Sequence, residues 1–224
     1  MSIKVQPDSE GFLNSDISVG CSIAVNGTCL TVTEFTNAWF KVDIAPETLR
    51  KTSFREIAEG SVLNLERALK SNDRNSGHTV QGHIDGVGEI ASVKPDGTSI
   101  RIRISTHRIS KCSKSRRYLN SLIVPKGFIA VDGASLTVCE VNHKEEWFTL
   151  MLIPHTQQVL RPWHKGDLVN LELDCLAKYV SASVNCFVDP VVHKLKKQMR
   201  QAQVIAASSL AASLVCLFVM FRKK

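Results

Sequence analysis

The segment Ser22-Ile23-Ala24-Val25-Asn26-Gly27-Thr28-Cys29-Leu30-Thr31-Val32-Thr33-Glu34 returns as Phe128-Ile129-Ala130-Val131-Asp132-Gly133-Ala134-Ser135-Leu136-Thr137-Val138-Cys139-Glu140, at a constant register of 106 residues. The echo continues from Pro46-Glu47-Thr48-Leu49 to Pro154-His155-Thr156-Gln157. It closes from Gly60-Ser61-Val62-Leu63-Asn64-Leu65-Glu66 to Gly166-Asp167-Leu168-Val169-Asn170-Leu171-Glu172. A period this long exceeds the few tens of residues of a solenoid unit, so each copy is expected to fold around its own core. A chain of 224 residues holds two such domains and a tail, read as 1–76, 77–182 and 183–224. Differences between the copies then carry information: Cys29 is matched by Ser135, and Asn26 by Asp132.

Within each copy the apolar positions alternate as in a half-buried strand, with Ile23 and Val25 before the turn and Leu30 and Val32 after it. Asn26-Gly27 and Asp132-Gly133 tolerate the positive φ of a tight hairpin, so each repeat is expected to contain one. Trp39 to Ile44 and Trp147 to Ile153 read as the following strands, and Val62 to Glu66 and Leu168 to Leu173 as the closing ones. Short strands at close spacing, with turn signals and little helix, predict an all-β chain of two tandem, six-stranded-type antiparallel barrels. Val80 to Ile90 and Ser99 to Ile104 supply two strands ahead of the second hairpin. In the first copy Ile3-Lys4-Val5 matches the second of these and nothing matches the first, so the N-terminal barrel is expected to lack its opening strand.

The net charge of +7 is accounted for by the tail, where Lys194, Lys196, Lys197, Arg200, Arg222, Lys223 and Lys224 lie. A nearly neutral body argues against a nucleic-acid partner, and the basic run Lys111 to Arg117 reads as a solvated loop. Seven cysteines, odd in number and without a Cys-x-x-Cys pair, read as reduced thiols of an intracellular, cytoplasmic protein. No metal-ligand spacing is present, and Met1 to Gly20 does not read as a secretory signal. Val204 to Phe221 is free of charge and flanked by cations. It reads either as a C-terminal membrane anchor or as a helix packed in an oligomer, which its small residues also suit.

The hairpin motif Ser22 to Thr33, Pro46-Glu47-Thr48-Leu49-Arg50, Val62 to Ala68, Gly77-His78-Thr79-Val80-Gln81-Gly82-His83-Ile84-Asp85-Gly86 and Lys126 to Val138 together resemble riboflavin synthase, a family built of two lumazine-binding barrels. The resemblance covers roughly residues 1 to 180, and five ordered motifs make it specific. It implies a dismutation without cofactor: two molecules of 6,7-dimethyl-8-ribityllumazine exchange a four-carbon unit, giving riboflavin and 5-amino-6-ribitylaminouracil. It also implies a homotrimer, in which an N-terminal barrel faces a C-terminal barrel of a neighbour, and an association with lumazine synthase. Family members open on a Met-Phe-Thr-Gly-Ile-Val-Glu strand that this chain does not show, and they end in an assembly helix rather than a membrane-like segment.

The resemblance assigns Cys29, Asp132, His83 and Ser135 to catalysis, and Ser22, Thr31, Thr48, His78, Lys126, Thr137 and Asp174 to substrate binding. A thiol at Cys29 suits a nucleophile, although a free cysteine is also a common packing residue. Asn26 shows that the turn needs no carboxylate, so Asp132 is expected to serve chemistry, as a base toward the acidic methyl of the lumazine. The resemblance places His83 at the site as a proton carrier; from the sequence alone His83 and His78 read as hydrogen-bonded core residues. Hydroxyl and carboxylate groups match the needs of a ribityl chain and a pyrimidine edge. Glu47 and Glu66 read as structural. The competing function is a non-catalytic lumazine- or flavin-binding protein of the same fold, from which retention of Cys29 separates this chain.

Overall fold

The repeat folds as its alternation dictates. In the computed structural model, which describes residues 1–4, 12–13 and 17–221, β2 (Ser22–Val25) and β3 (Thr28–Phe35) form a hairpin, as do β8 (Phe128–Val131) and β9 (Ala134–Asn142). Val25 pairs with Thr28 and Val131 with Ala134, leaving two-residue turns with positive φ throughout: Asn26 41°, Gly27 73°, Asp132 46° and Gly133 92°. Positive φ at both central residues matches the right-handed twist of the strands, which selects the Asn-Gly and Asp-Gly dipeptides.

Matched residues occupy matched places in two separate cores. Ile23, Val25, Val32, Phe40 and Val42 are fully buried in the first, as are Ile129, Val131, Val138, Phe148 and Leu150 in the second. The second copy is a closed barrel. Its strands β6 (Gly86–Asp96), β7 (Ser99–Ser105), β8, β9, β10 (Trp147–Leu152) and β11 (Leu168–Leu173) run in the order β10-β7-β6-β11-β8-β9. The first is a five-stranded sheet of β1 (Ser2–Lys4), β4 (Trp39–Val42), β3, β2 and β5 (Leu65–Arg67), ordered β1-β4-β3-β2-β5. Superimposed on the second order, the gap between β1 and β5 is the place that β6 fills in the closed barrel. The expected missing strand thus appears as an open sheet among the described residues. Val5, assigned to the first strand from the sequence, lies outside them.

Two details differ from the sequence reading. The strand expected over Val80 to Ile90 runs instead from Gly86 to Asp96, because residues 81–83 give their backbone N–H groups to a side chain rather than to a ladder. The basic run expected as a loop forms a helix, α2 (Ser113–Ser121). Its Arg116 Nε donates to Glu146 Oε1 at 2.9 Å, an anchor that apolar periodicity does not reveal. Short helices α1 (Pro46–Lys51) and α3 (Pro154–Val159) begin at the matched prolines, where the absent N–H costs nothing.

The chain divides into two units, Met1–Lys178 and Tyr179–Lys224. The described residues of the second lie in α4 (Cys175–Phe221), which starts ahead of the residue 183 expected for the tail and exposes Tyr179, Val184 and Phe187. Among the described residues no helix is long and apolar enough to cross a membrane. The anchor expected over 204–221 lies largely outside the description, since the side chains of 206, 207 and 209–221 are not part of it.

Candidate active site

The two hairpin turns meet. An added Cβ on Gly27 would sit 2.3 Å from the Gly133 nitrogen, so the copies approach backbone to backbone at this point. Asparagines at equivalent positions exchange bonds across the junction: Asn170 Oδ1 accepts the Ser53 N–H and Asn64 Oδ1 that of Arg161, each at 2.8 Å. Asn170 Nδ2 also donates to the Asn26 carbonyl at 2.9 Å. These bonds are buried or half-buried and bring the outer face of the first hairpin toward that of the second.

Beside the junction lies a cavity of about 710 Å³ lined from both copies and from the linker between them. Its volume lies within the range of small-molecule sites. Ala24 pairs with Cys29 and Ala130 with Ser135, so thiol and hydroxyl project from the faces opposite the cores, and both reach this cavity with Ser22 and His78. Positions that diverged after the duplication therefore face one space. His78 Nδ1 lies 2.7 Å from Ser135 Oγ, and the imidazole stacks on Phe128 with centroids 5.0 Å apart. Burial lowers the His78 pKa below its ordinary value against the opposing charges of Asp174 and Glu172, which favours a neutral ring able to take a proton. Glu66 also lines the cavity; desolvation raises the pKa of its carboxyl although the residue is exposed.

The remaining predicted residues fall elsewhere. Asp132 is buried at the junction and not among the cavity lining: Oδ1 accepts the Asn170 N–H at 2.8 Å and Oδ2 meets Arg161 Nη2 at 3.0 Å. Asn26 Oδ1 accepts the equivalent backbone bond from Asn64 at 2.8 Å, and the carboxylate of the second copy adds to it the ion pair with Arg161. His83 is exposed, and its backbone N–H is held by Glu172. Thr31, Lys126 and Thr137 are exposed on the strands and at the turn before β8, and the Thr48 carbonyl accepts the Thr52 N–H at the end of α1. Asp174 Oδ1 caps α4 through the Leu176 N–H at 2.9 Å. Of the eleven residues, Ser22, Cys29, His78 and Ser135 are brought together. Glu172 and Arg161 were missed, although the recurrence of Glu66 as Glu172 in the closing strands was a signal.

Asp132 has a measurable consequence. Burial, partly offset by Arg161 and the Asn170 bond, pushes its pKa up to about 6 from the ordinary 3.8. The folded state then binds the proton more tightly than the unfolded one. Stability from this group is present below about pH 4 and is lost as pH rises toward about pH 6, by roughly 3 kcal/mol in all. Urea unfolding of parent and Asp132→Asn at several pH values between these limits should show the parent losing stability relative to the variant as pH rises. A flat difference would refute dominance by burial.

Comparison with known proteins agrees with this architecture. The lumazine binding domain matches residues 1–68 and 81–174, one match per copy. A riboflavin synthase of Meyerozyma guilliermondii is 42% identical over 173 residues, 75% of this chain and 69% of that protein. That of Actinobacillus pleuropneumoniae is 44% identical over 167 residues, 74% and 73% of the two, and that of Schizosaccharomyces pombe 41% over 181, 80% and 82%. The chain belongs to the riboflavin synthase family. Among solved structures, LumP complexed with 6,7-dimethyl-8-(1'-D-ribityl) lumazine superposes with a TM-score of 0.61 over 77% of this chain and 85% of that one, at 21% identity. That likeness bears on the fold alone.

Proposed function

We propose that the chain is a riboflavin synthase, an enzyme that converts two molecules of 6,7-dimethyl-8-ribityllumazine to riboflavin and 5-amino-6-ribitylaminouracil. The observation that carries this is identity of about two fifths with riboflavin synthases across three quarters of the chain, and Cys29 lines the cavity. One lumazine gives up four carbons and the other takes them, so the atoms balance without oxidant or cofactor. Two ligands with opposite roles need different polar groups, and Cys29 and Ser135 supply that difference at matched positions. Cys29 adds to the electrophilic ring carbon of one pteridine, and the His78–Ser135 pair carries protons to and from the other.

The experiment is incubation of the purified chain with 6,7-dimethyl-8-ribityllumazine alone. Riboflavin absorbance should appear, with one 5-amino-6-ribitylaminouracil for each riboflavin. Lumazine binding without riboflavin would instead place the chain among ligand-binding relatives. The open edge between β1 and β5 favours that second reading. The homotrimer draws support from the exposed apolar side chains of α4, such as Val180, Phe187 and Val191. The membrane anchor over 204–221 and the association with lumazine synthase rest on the sequence and the resemblance. Sedimentation of the chain, alone and with lumazine synthase, and carbonate extraction of a reporter fused to residues 194–224 test these three.

A further inference from the structure

Glu172, on β11 of the second copy, is 1% exposed. Its Oε1 accepts the Gln81 N–H at 2.7 Å, and its Oε2 those of Gly82 and His83 at 2.8 and 3.0 Å. A carboxyl removed from water needs such donors, and three in a row hold a short loop in one conformation. Gly82 passes this order on. Its carbonyl accepts the Cys29 N–H at 2.9 Å, its φ is +74°, and a Cβ there would lie 2.6 Å from both the nitrogen and the Cβ of Cys29. A carboxyl of one copy thereby fixes the backbone that carries the thiol of the other. The repeat-matched Glu66 faces the cavity instead, so the two glutamates have taken different duties.

We propose that Glu172 is a positioning residue for Cys29, acting through the loop Gln81-Gly82-His83. The functional meaning rests on the reading of Cys29 as the group that meets substrate, but the test reads the thiol itself. In Glu172→Gln one carboxylate oxygen becomes an amide nitrogen that cannot accept, so at least one of the three N–H groups is stranded.

Full-length parent, Glu172→Gln and Gly82→Ala are treated with iodoacetamide, and modification of each cysteine is followed by mass spectrometry. The rate at Cys29 should change at least about three-fold in both variants, while the exposed Cys112 keeps its rate. With the lumazine substrate, kcat should fall about ten-fold or more with KM changed less than about two-fold. A folded Glu172→Gln whose Cys29 reacts as in the parent overturns the proposal even if turnover falls. If that variant does not fold, Gly82→Ala decides, because it disturbs the loop and leaves the carboxyl in place; parent-like Cys29 reactivity there is equally fatal. A chain without synthase activity still passes or fails the alkylation test, which separates this proposal from the functional one.

Discussion

Gly27→Ala should cost about 3 kcal/mol or more of unfolding free energy, a large share of the 5–15 kcal/mol typical of a domain. Two effects add. The residue sits at φ 73°, where a Cβ is strained by about 1 kcal/mol. The new methyl would also lie 2.3 Å from the Gly133 nitrogen and 2.8 Å from its Cα, backbone atoms that cannot swing aside as a side chain could. Gly60→Ala is the control, because Gly60 has φ +86° but nothing within 4 Å of its added Cβ. It carries the backbone strain and no clash. Urea melts of both variants isolate the junction, and equal losses would show that the two turns do not stack in solution. Since Asn64 and Asn170 bond across the same junction, Gly27→Ala should also reduce ligand binding while the second barrel stays folded.

Cys29→Ala should lower single-turnover conversion of 6,7-dimethyl-8-ribityllumazine by about 100-fold, and Ser135→Ala by only about 10-fold. The positions are equivalent in the repeat, project from equivalent faces and line one cavity, so packing and exposure are nearly matched between them. What differs is chemistry. A thiol can add to a ring carbon and leave again, whereas the Ser135 hydroxyl is engaged with the His78 imidazole at 2.7 Å and in the proposed reaction serves proton transfer. Both variants should keep the parent's melting behaviour, because each removes one small side chain from a cavity wall. Equal kinetic losses would remove the assigned asymmetry and return Cys29 to the role of a packing residue.

The duplication, the hairpins and the open first sheet were all legible in the sequence, because each follows from local chemistry. Alternation of Ile23, Val25, Leu30 and Val32 fixes which face is buried, and Asn-Gly or Asp-Gly fixes a turn of two residues, so register follows within each copy. Cys29 and Ser135 could be singled out for the same reason, as a divergence at matched places. The Asp132–Arg161 pair could not, because Arg161 is 29 residues away and approaches only when α3 and β11 are packed. Nor could the role of Glu172, whose three partners lie about 90 residues upstream in a segment that reads as strand. The sequence by itself determined that there are two like domains and which positions differ between them. Only the tertiary structure decided which differences face the cavity and which face Arg161, since that depends on how two folded copies dock, and docking is set by contacts between residues far apart in the chain.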